Sequence, residues 1–335
     1  MIGYDLTGRT ALVLGADAHA AAEVGALVDA GATVTVAAVR RQGLGEQQDT
    51  CAIVDDLAAR GLVRVVDVSD ADPSAFDVVV RPRGRRDAPL RSGPGRVTLV
   101  GGGPGDPGLL TLAGRAAIET ADVVVADRLA PLAALRWAPE HAEVIDVGKI
   151  PGGRSTGQDE INRLLVDHAK AGKHVVRFKG GDSFVFGRGG EEAIACAGAG
   201  VEVTVVPGVS SSIAGPALAG VPVTHRGLVQ GFTVVSGHVP PGHESSTLDY
   251  AALARLGTTI VVLMGVRTLP AICAELVRHG LTPTTPVTVV ADASLPSQVR
   301  VRGTLETIDE RLRTAQVGPP AIAVIGAVAD LGGLP

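Results

Sequence analysis

The stretch that decides the fold is Val97–Leu112, which reads VTLVGGGPGDPGLLTL. It begins with residues typical of a buried strand, continues through a turn rich in glycine and proline, and ends where a helical pattern starts. A strand, a tight turn and a helix in this order form the first half of a βαβ unit. The stretch therefore predicts an α/β fold whose ligand lies at the carboxyl ends of parallel strands.

On both sides of this stretch, short β-branched runs alternate with helical patterns rich in alanine and leucine. This alternation is typical of parallel α/β sheets. The predicted strands are Ala11–Leu14, Thr33–Ala37, Val63–Val66, Asp77–Val80, Val97–Val100, Val123–Ala126, Val144–Val147, Val175–Phe178, Val201–Val206, Phe232–Val235, Thr259–Met264, Val287–Ala291 and Ala321–Ile325. The clearest predicted helices are Ala20–Ala30, Thr111–Thr120, Gln158–Ala171 and Leu269–Arg278.

Two boundaries divide the chain into three predicted parts. Arg81–Gly95 is rich in arginine, proline and glycine without apolar periodicity, which indicates a linker. A softer boundary lies near Pro207. The predicted domains are therefore residues 1–90, 96–207 and 208–335.

The first predicted domain has the shape of a small Rossmann-like α/β domain, but its glycine fingerprint is broken. Gly15 and Ala20 match the pattern, whereas Asp17 stands where the middle glycine lets a pyrophosphate approach the backbone. No acidic residue ends the second strand, where TVTVAAVRRQ follows. We expect a structural nucleotide-type domain, with a working NAD site as the alternative.

Composition excludes several classes of function. A net charge of −5 provides no basic field for nucleic acid, and aromatics at 2 % leave few stacking platforms. No apolar run reaches the roughly eighteen residues of a membrane span, and the first ten residues lack a secretory leader. Cys51, Cys196 and Cys273 are odd in number and far apart, which predicts free thiols in the cytoplasm. The eight histidines form no metal-binding motif, so we expect no metal site.

The strand ends predict a ligand that is not anionic. The turn after Val100 has no GK[ST] sequence, and its prolines remove amide donors that a phosphate would need. Asp106, Asp127 and Asp182 follow three of the strands. Each alone is more typical of a cap or turn, but together they favour a neutral or cationic ligand such as S-adenosylmethionine.

Several motifs then carry a family resemblance. The stretches VTLVGGGPGDPGLLTL, ADVVVADRL, VIDVGK, VVRFKGGDSFVFGRGGEE, VVPGVSSSIAGPALAGVPVTHR and VVLMG resemble the uroporphyrinogen-III C-methyltransferase family of tetrapyrrole methylases. The resemblance covers roughly 96–330 in continuous order. It implies a two-domain α/β tetrapyrrole methylase, preceded here by the Rossmann-like domain, that forms a cytoplasmic homodimer with its active site in a cleft.

The resemblance also implies an activity and the residues that perform it. The family uses S-adenosylmethionine to methylate uroporphyrinogen III at C-2 and C-7, giving precorrin-2 through precorrin-1, in sirohaem and cobalamin biosynthesis. By motif match, Asp127 is the proton acceptor and Lys149 the proton donor. The matched cofactor-binding residues are Pro104, Gly180, Gly181, Asp182, Val185, Ser210, Ser211, Met264 and Ala293.

Other features leave alternatives open. The chain has Ala126, Ser183 and Gly227 where the family usually has Tyr, Pro and Asp. A bifunctional methylase that also oxidises precorrin-2 with NAD, and a non-catalytic tetrapyrrole or S-adenosylmethionine binding protein, are the alternative functions. Three arginines are candidate anchors for the substrate carboxylates, with surface ion pairs as their alternative role: Arg128, Arg188 and Arg226.

Overall fold

The structure is a computed structural model that describes residues 6–16, 18–38, 50–80, 94–148 and 156–331. Asp17, Lys149 and most of the predicted linker lie outside the described residues. The chain divides into two compact units, the first ending at Val209 and the second beginning at Ser210. The α/β architecture predicted from the alternating pattern is confirmed in both units.

The first unit begins with a four-stranded, fully parallel sheet in the order β3-β2-β1-β4. Its strands are β1 (Thr10–Leu14), β2 (Thr33–Ala38), β3 (Val63–Asp67) and β4 (Val78–Val80), and its helices are α1 (Ala18–Asp29) and α2 (Ala52–Ala59). This is the predicted Rossmann-like arrangement. Its central strand β1 is apolar and buried between neighbours on both sides.

A second parallel sheet of five strands completes the first unit, in the order β7-β6-β8-β5-β9. Its strands are β5 (Arg96–Gly101), β6 (Val123–Ala126), β7 (Glu143–Asp146), β8 (His174–Lys179) and β9 (Glu202–Val206). The helices are α3 (Leu112–Glu119), α4 (Gln158–Lys170) and α5 (Gly189–Gly198). Helix α4 buries Ile161, Leu165 and Ala169, whose spacing of four residues places them on one face.

The two sheets of the first unit share one apolar core. Val24 of α1 and Ile53 of α2 belong to the same buried cluster as Leu135 and Phe178 of the second sheet's layers. Gly25 allows close contact, because a Cβ there would lie 3.0 Å from the Ala133 nitrogen. The division into domains 1–90 and 96–207 stays a prediction, while the described contacts pack the two parts together.

The second unit contains a mixed sheet in the order β10-β11-β14-β12-β13. Its strands are β10 (Phe232–Ser236), β11 (Thr259–Leu263), β12 (Pro286–Ala291), β13 (Val299–Thr304) and β14 (Ala321–Ile325). The helices are α6 (Ser211–Leu218), α7 (Tyr250–Arg255), α8 (Leu269–Arg278) and α9 (Ile308–Thr314). The prediction of parallel pairing was wrong here, because β14 runs antiparallel to both β11 and β12. None of the helices formed by the described residues has the length and apolarity needed to cross a bilayer.

Asp29, the last residue of α1, provides a test of the packing between the two sheets. Burial, and next the nearby carboxylate of Asp106, raise the pKa of the Asp29 carboxyl to about 6 from 3.8, although Arg136 opposes the shift. Above pH 6 the Asp29 carboxyl ionises in the folded state although its surroundings disfavour the charge. This lowers the free energy of unfolding by up to about 3 kcal/mol. We expect Asp29→Asn to raise the free energy of unfolding by about 1–3 kcal/mol at pH 8, and this gain to vanish below pH 4.

Urea unfolding at pH 8 and pH 4 measures this gain, with Asp77→Asn as the control. Hydrogen bonds from the backbone and hydroxyl of Thr10 lower the pKa of Asp77, so that substitution removes a stabilising charge at pH 8. The two variants are expected to shift stability in opposite directions. Equal losses of stability at pH 8 would contradict the packing of Asp29 beside Asp106.

Candidate active site

The turns after β5 and β8 meet at the carboxyl edge of the parallel sheet of the first unit. The Gly181 N–H donates to the Gly103 carbonyl at 2.6 Å, and the Gly103 N–H donates to the Gly181 carbonyl at 3.1 Å. Both glycines have positive φ, +82° at Gly103 and +65° at Gly181, which side chains rarely adopt. A reciprocal pair of backbone hydrogen bonds therefore joins the two glycine-rich turns.

Close backbone contacts explain why this edge is so rich in glycine. A Cβ at position 208 would lie 2.3 Å from the Gly181 carbonyl oxygen and 2.5 Å from that of Gly101. A Cβ at position 180 would lie 2.3 Å from the carbonyl oxygen of Leu129, in the turn after β6. These glycines let the turns after β5, β6, β8 and β9 pack against one another.

Two of the three acidic residues predicted at the strand ends accept hydrogen bonds from backbone N–H groups. Asp182 accepts from the Phe184 N–H at 2.8 Å through Oδ1 and from the Gly208 N–H at 3.0 Å through Oδ2. Asp106 accepts from the Gly108 N–H at 2.7 Å. Each of these carboxylates caps its turn, which is typical of a single aspartate at such a position, and a role of the three carboxylates beside a cationic ligand stays a prediction.

The residues that surround the Gly180–Gly181 turn present apolar surface rather than charge. Val185, which the resemblance places at the cofactor, is 37 % exposed, and Phe184 beside it is 57 % exposed. Pro104 lies in the turn after β5, two residues before Asp106. Ser183, in contrast, is buried, and its hydroxyl has no hydrogen-bond partner among the described residues.

Asp127 belongs to a buried cluster of four charged side chains, which we call the Asp127 cluster: Asp127, Arg177, Lys179 and Glu192. The Arg177 guanidinium donates through Nη2 to Asp127 Oδ1 at 2.8 Å and through Nε to Glu192 Oε1 at 2.9 Å. Lys179 Nζ donates to Asp127 Oδ2 at 3.2 Å and lies 3.4 Å from Glu192 Oε1. Side-chain exposure is 1 % for Arg177, 5 % for Lys179 and 0 % for Glu192, but 30 % for Asp127. Only Asp127 presents its carboxylate outward.

The cluster holds Asp127 in its ionised form. Burial opposes ionisation, but the positive charges and hydrogen bonds of Arg177 and Lys179 outweigh it and lower the pKa of the Asp127 carboxyl. A general base works best when its pKa lies near the operating pH, so Asp127 is a weak base at neutrality. A fixed carboxylate at a partly buried position is suited instead to stabilising positive charge that develops beside it.

The other three members of the Asp127 cluster were not predicted from the sequence. Arg177 and Lys179 are two residues apart on β8, so they point to the same face of a strand that is buried throughout. Two basic residues inside a buried strand require buried acidic partners, and this signal was present in VVRFK. Glu192, on α5, could be paired with them only from the structure.

Four predicted cofactor residues lie in the second unit. Ser210 caps α6 by accepting from the Ser212 N–H at 3.3 Å, and Ser211 is the first residue of that helix. Met264 follows β11 with a φ of +56° and is 54 % exposed. Ala293 follows β12 and is buried. Because β11 and β12 both run antiparallel to β14, Met264 and Ala293 lie at the same edge of this sheet.

The candidate anchors for substrate carboxylates differ in their partners. Arg128, immediately after Asp127, pairs with Asp56 of α2 at 2.5 Å. Arg188 pairs with Glu191 at 2.8 Å on an exposed surface. Arg226 is exposed. The first of these arginines is therefore committed to a contact within the chain.

The thiols do not contribute a nucleophile. The three cysteines are free, as predicted. Burial is the main cause that raises the pKa values of Cys51 and Cys273 to about 12 and that of Cys196 to about 11, so the thiolate form is scarce at neutral pH. Among the described residues, no group of histidine, cysteine and carboxylate side chains is arranged to bind a metal ion.

Comparison with known proteins assigns the family. Residues 96–309 match the family model of the Tetrapyrrole (Corrin/Porphyrin) Methylases. The chain belongs to the tetrapyrrole methylase family. The match begins at β5, so the resemblance drawn from the motifs is confirmed and the Rossmann-like sheet lies outside the family model.

Individual relatives narrow the comparison. The S-adenosyl-L-methionine-dependent uroporphyrinogen III methyltransferase of Methanosarcina barkeri is 48 % identical over 71 % of this chain and 93 % of its own length. The uroporphyrinogen-III C-methyltransferase of Priestia megaterium is 43 % identical over 70 % of this chain and 99 % of its own length. The uroporphyrin-III C-methyltransferase of Thermus thermophilus, solved in complex with S-adenyl homocysteine, is 45 % identical with a TM-score of 0.60, and the match covers 70 % of this chain and 98 % of that one. The two-domain tetrapyrrole methylase fold is thereby confirmed.

Proposed function

We propose that this tetrapyrrole methylase transfers methyl groups from S-adenosylmethionine to C-2 and C-7 of uroporphyrinogen III, giving precorrin-2 through precorrin-1. Similarity to the enzymes of Methanosarcina barkeri and Priestia megaterium supports the substrate. The observation that carries the mechanism is the pairing of the Asp127 carboxylate with Arg177 and Lys179 at the carboxyl end of β6.

The reaction needs alignment and charge stabilisation. S-adenosylmethionine would supply an electrophilic methyl group on a sulfonium, which a pyrrole carbon of the substrate would attack while the sulfur–methyl bond breaks and S-adenosylhomocysteine leaves. The pyrrole ring becomes cationic as the new carbon–carbon bond forms, and loss of a proton from the ring system then neutralises it. Asp127 then lies at the strand end as a fixed anion that stabilises this cation, while the buried cations behind it keep the carboxylate oriented.

The cofactor residues are proposed from the motif match. The described residues fit the methyl donor, because the tight Gly180–Gly181 turn lies beside the exposed apolar side chains of Phe184 and Val185, a surface suited to an adenosine group. Both carboxylate oxygens of Asp182 hold backbone amides, so we propose that Asp182 shapes this turn. Pro104 contributes from the turn after β5. Ser210, Ser211, Met264 and Ala293 are the proposed contributions of the second unit.

Lys149 is the proposed proton donor. It follows Gly148 in the sequence, three residues after Asp146, the last residue of β7, and β7 pairs with the strand that ends before Asp127. An ammonium can release a proton near neutrality when its surroundings favour it, whereas a guanidinium effectively cannot. This supports a role in proton exchange for a lysine in a chain where 26 of the 30 basic residues are arginine.

A cytoplasmic homodimer completes the proposal. The resemblance to the uroporphyrinogen-III C-methyltransferase family supports the homodimer. The free thiols support a reducing compartment.

An assay of the purified full chain tests the function. Incubation with uroporphyrinogen III and methyl-labelled S-adenosylmethionine, without oxygen, is expected to yield a product that carries two labelled methyl groups, measured by mass spectrometry. A reaction without the tetrapyrrole is the control. If calorimetry shows that the protein binds S-adenosylhomocysteine but the assay shows no methyl transfer, the proposed enzymatic function is overturned and the protein is a binding protein.

A further inference from the structure

The helix α2 of the Rossmann-like sheet contacts the ends of two neighbouring strands of the methylase sheet. The Ile53 N–H donates to Asp146 Oδ2 at 3.1 Å, and Asp146 ends β7. Three residues later on the same helix, Asp56 accepts from Arg128 Nη1 at 2.5 Å, and Arg128 lies two residues beyond the end of β6. One helical turn of α2 therefore bridges the turns that follow β6 and β7.

Burial makes the contact between Asp56 and Arg128 strong. The Asp56 side chain is 6 % exposed and that of Arg128 is 22 % exposed, so water screens the pair poorly. Arg60 Nη1 lies 3.5 Å from the other oxygen of Asp56 and holds it in place. On the side of β7, Gly148 lies directly against Arg128. A Cβ at position 148 would lie 2.8 Å from the Cβ of Arg128, so the glycine allows this close approach.

The turn that Arg128 anchors also carries Asp127. The Asp127 N–H donates to the Phe178 carbonyl at 2.9 Å, and the Ala130 N–H donates to the Asp127 carbonyl at 3.1 Å. On its other side the turn contacts Gly180 through the Leu129 carbonyl. A shift of this turn would move the Asp127 carboxylate relative to the Gly180–Gly181 turn. Errors of about 1 Å in such placements can lower rates by up to about a hundredfold.

We propose that Asp56 is a positioning residue of the methyltransferase site, which acts through Arg128 to fix the turn that carries Asp127. This inference rests on the proposed function of Asp127. It assigns the Rossmann-like sheet a role that needs no nucleotide, since α2 lies outside the family model and yet braces the strand ends of the methylase sheet. In this proposal, Arg128 acts by positioning the turn that follows β6.

Kinetics of the full chain test the proposal. We expect Asp56→Asn to lower kcat for methyl transfer about fivefold to tenfold, with the dissociation constant of S-adenosylhomocysteine changed less than about twofold. Arg128→Gln is expected to have the same effect, and the double variant no more than either alone, because the two side chains act as one unit. Asp56→Glu, which keeps the charge, should recover most of the activity. Asp77→Asn, which breaks the exposed pair with Arg9 in the same sheet, should keep the normal kcat.

Hydrogen exchange separates this proposal from the proposed function. In Asp56→Asn, the amides of Asp127 and Ala130 should exchange faster than in Asp77→Asn, whatever reaction the protein catalyses. If Asp56→Asn leaves both the exchange of these amides and kcat normal, the positioning role is overturned. It is also overturned if the losses of kcat in Asp56→Asn and Arg128→Gln multiply in the double variant. If the parent protein is inactive but Asp56→Asn still speeds the exchange of these amides, the proposed function is overturned, while the role of Asp56 in fixing the turn through Arg128 is kept.

Discussion

Arg177→Met is expected to lower the free energy of unfolding of the first unit by about 3–5 kcal/mol, because it leaves two carboxylates of the Asp127 cluster with one buried cation. Arg177 is 1 % exposed at its side chain and contacts Asp127, Glu192 and the Val125 carbonyl at once. A buried charge that loses its partner cannot regain water, so its desolvation is not compensated. The expected loss is therefore far larger than for a surface pair.

Urea unfolding followed by tryptophan fluorescence measures this loss. Trp137 is the only tryptophan of the chain and ends the turn Leu132–Trp137 of the first unit, so its emission reports on that unit. Arg188→Met is the matched control, since Arg188 makes a paired contact with Glu191 but is 49 % exposed. The control should lose less than about 1 kcal/mol. Equal losses in the two variants would show that the cluster does not stabilise the fold.

The pH dependence of the same measurement follows from the lowered pKa of Asp127. Burial opposes that shift, but the charges of Arg177 and Lys179 outweigh it. The ionised Asp127 carboxylate therefore stabilises the folded state at pH values above the ordinary carboxyl pKa of 3.8. This stabilisation is lost as the pH falls through the lower pKa of the folded state. Asp127 should therefore contribute a constant stabilisation to the parent protein from pH 5 to pH 8 and lose it only below pH 4.

The strands were predictable because each is a short apolar run between turn residues. Val123–Ala126 and Ala321–Ile325 have the predicted bounds, and the other predicted strands differ by about one residue at either end. The exception is β13 (Val299–Thr304), which the sequence analysis did not identify. Its sequence alternates valine with arginine, and Val301 is its only buried residue. A strand with charged residues between its apolar ones contains no continuous apolar run, so a search for such runs does not detect it.

The site was predictable only in part, because its most consequential contacts join distant segments. The motifs identified Asp127, but Arg177 lies fifty residues away along the chain and Glu192 a further fifteen. The acidity of the strand ends did not reveal that Asp106 and Asp182 accept hydrogen bonds from backbone amides, within their own turns or from Gly208. Local patterns reveal which residues are unusual. Only the folded chain shows which of them remain available to a ligand.

Asp127→Asn is expected to lower kcat for methyl transfer by about a hundredfold, a typical effect for the loss of one preorganised electrostatic group. The amide keeps the size of the side chain but removes the negative charge that faces the substrate. Arg177 and Lys179 would then be balanced by Glu192 alone, leaving a net positive charge beside the ring that becomes cationic in the reaction. Loss of attraction and new repulsion act in the same direction. The affinity for S-adenosylhomocysteine, whose sulfur is neutral, should change little.

Steady-state kinetics and calorimetry on the full chain measure the two effects, and Glu143→Gln is the matched control. Glu143 is the first residue of β7, so it lies at the amino edge of the sheet, opposite the carboxyl edge where Asp127 lies. It pairs with Lys173 at 3.2 Å, so its substitution breaks a comparable ion pair away from the site. The pH profile then distinguishes a fixed anion from a proton acceptor. Because Arg177 and Lys179 outweigh burial and keep Asp127 ionised well below neutrality, kcat of the parent should show no acid limb from this residue between pH 5 and pH 8. An acid limb in that range that disappears in Asp127→Asn would instead identify Asp127 as the base, and a normal kcat in the variant would remove it from the mechanism.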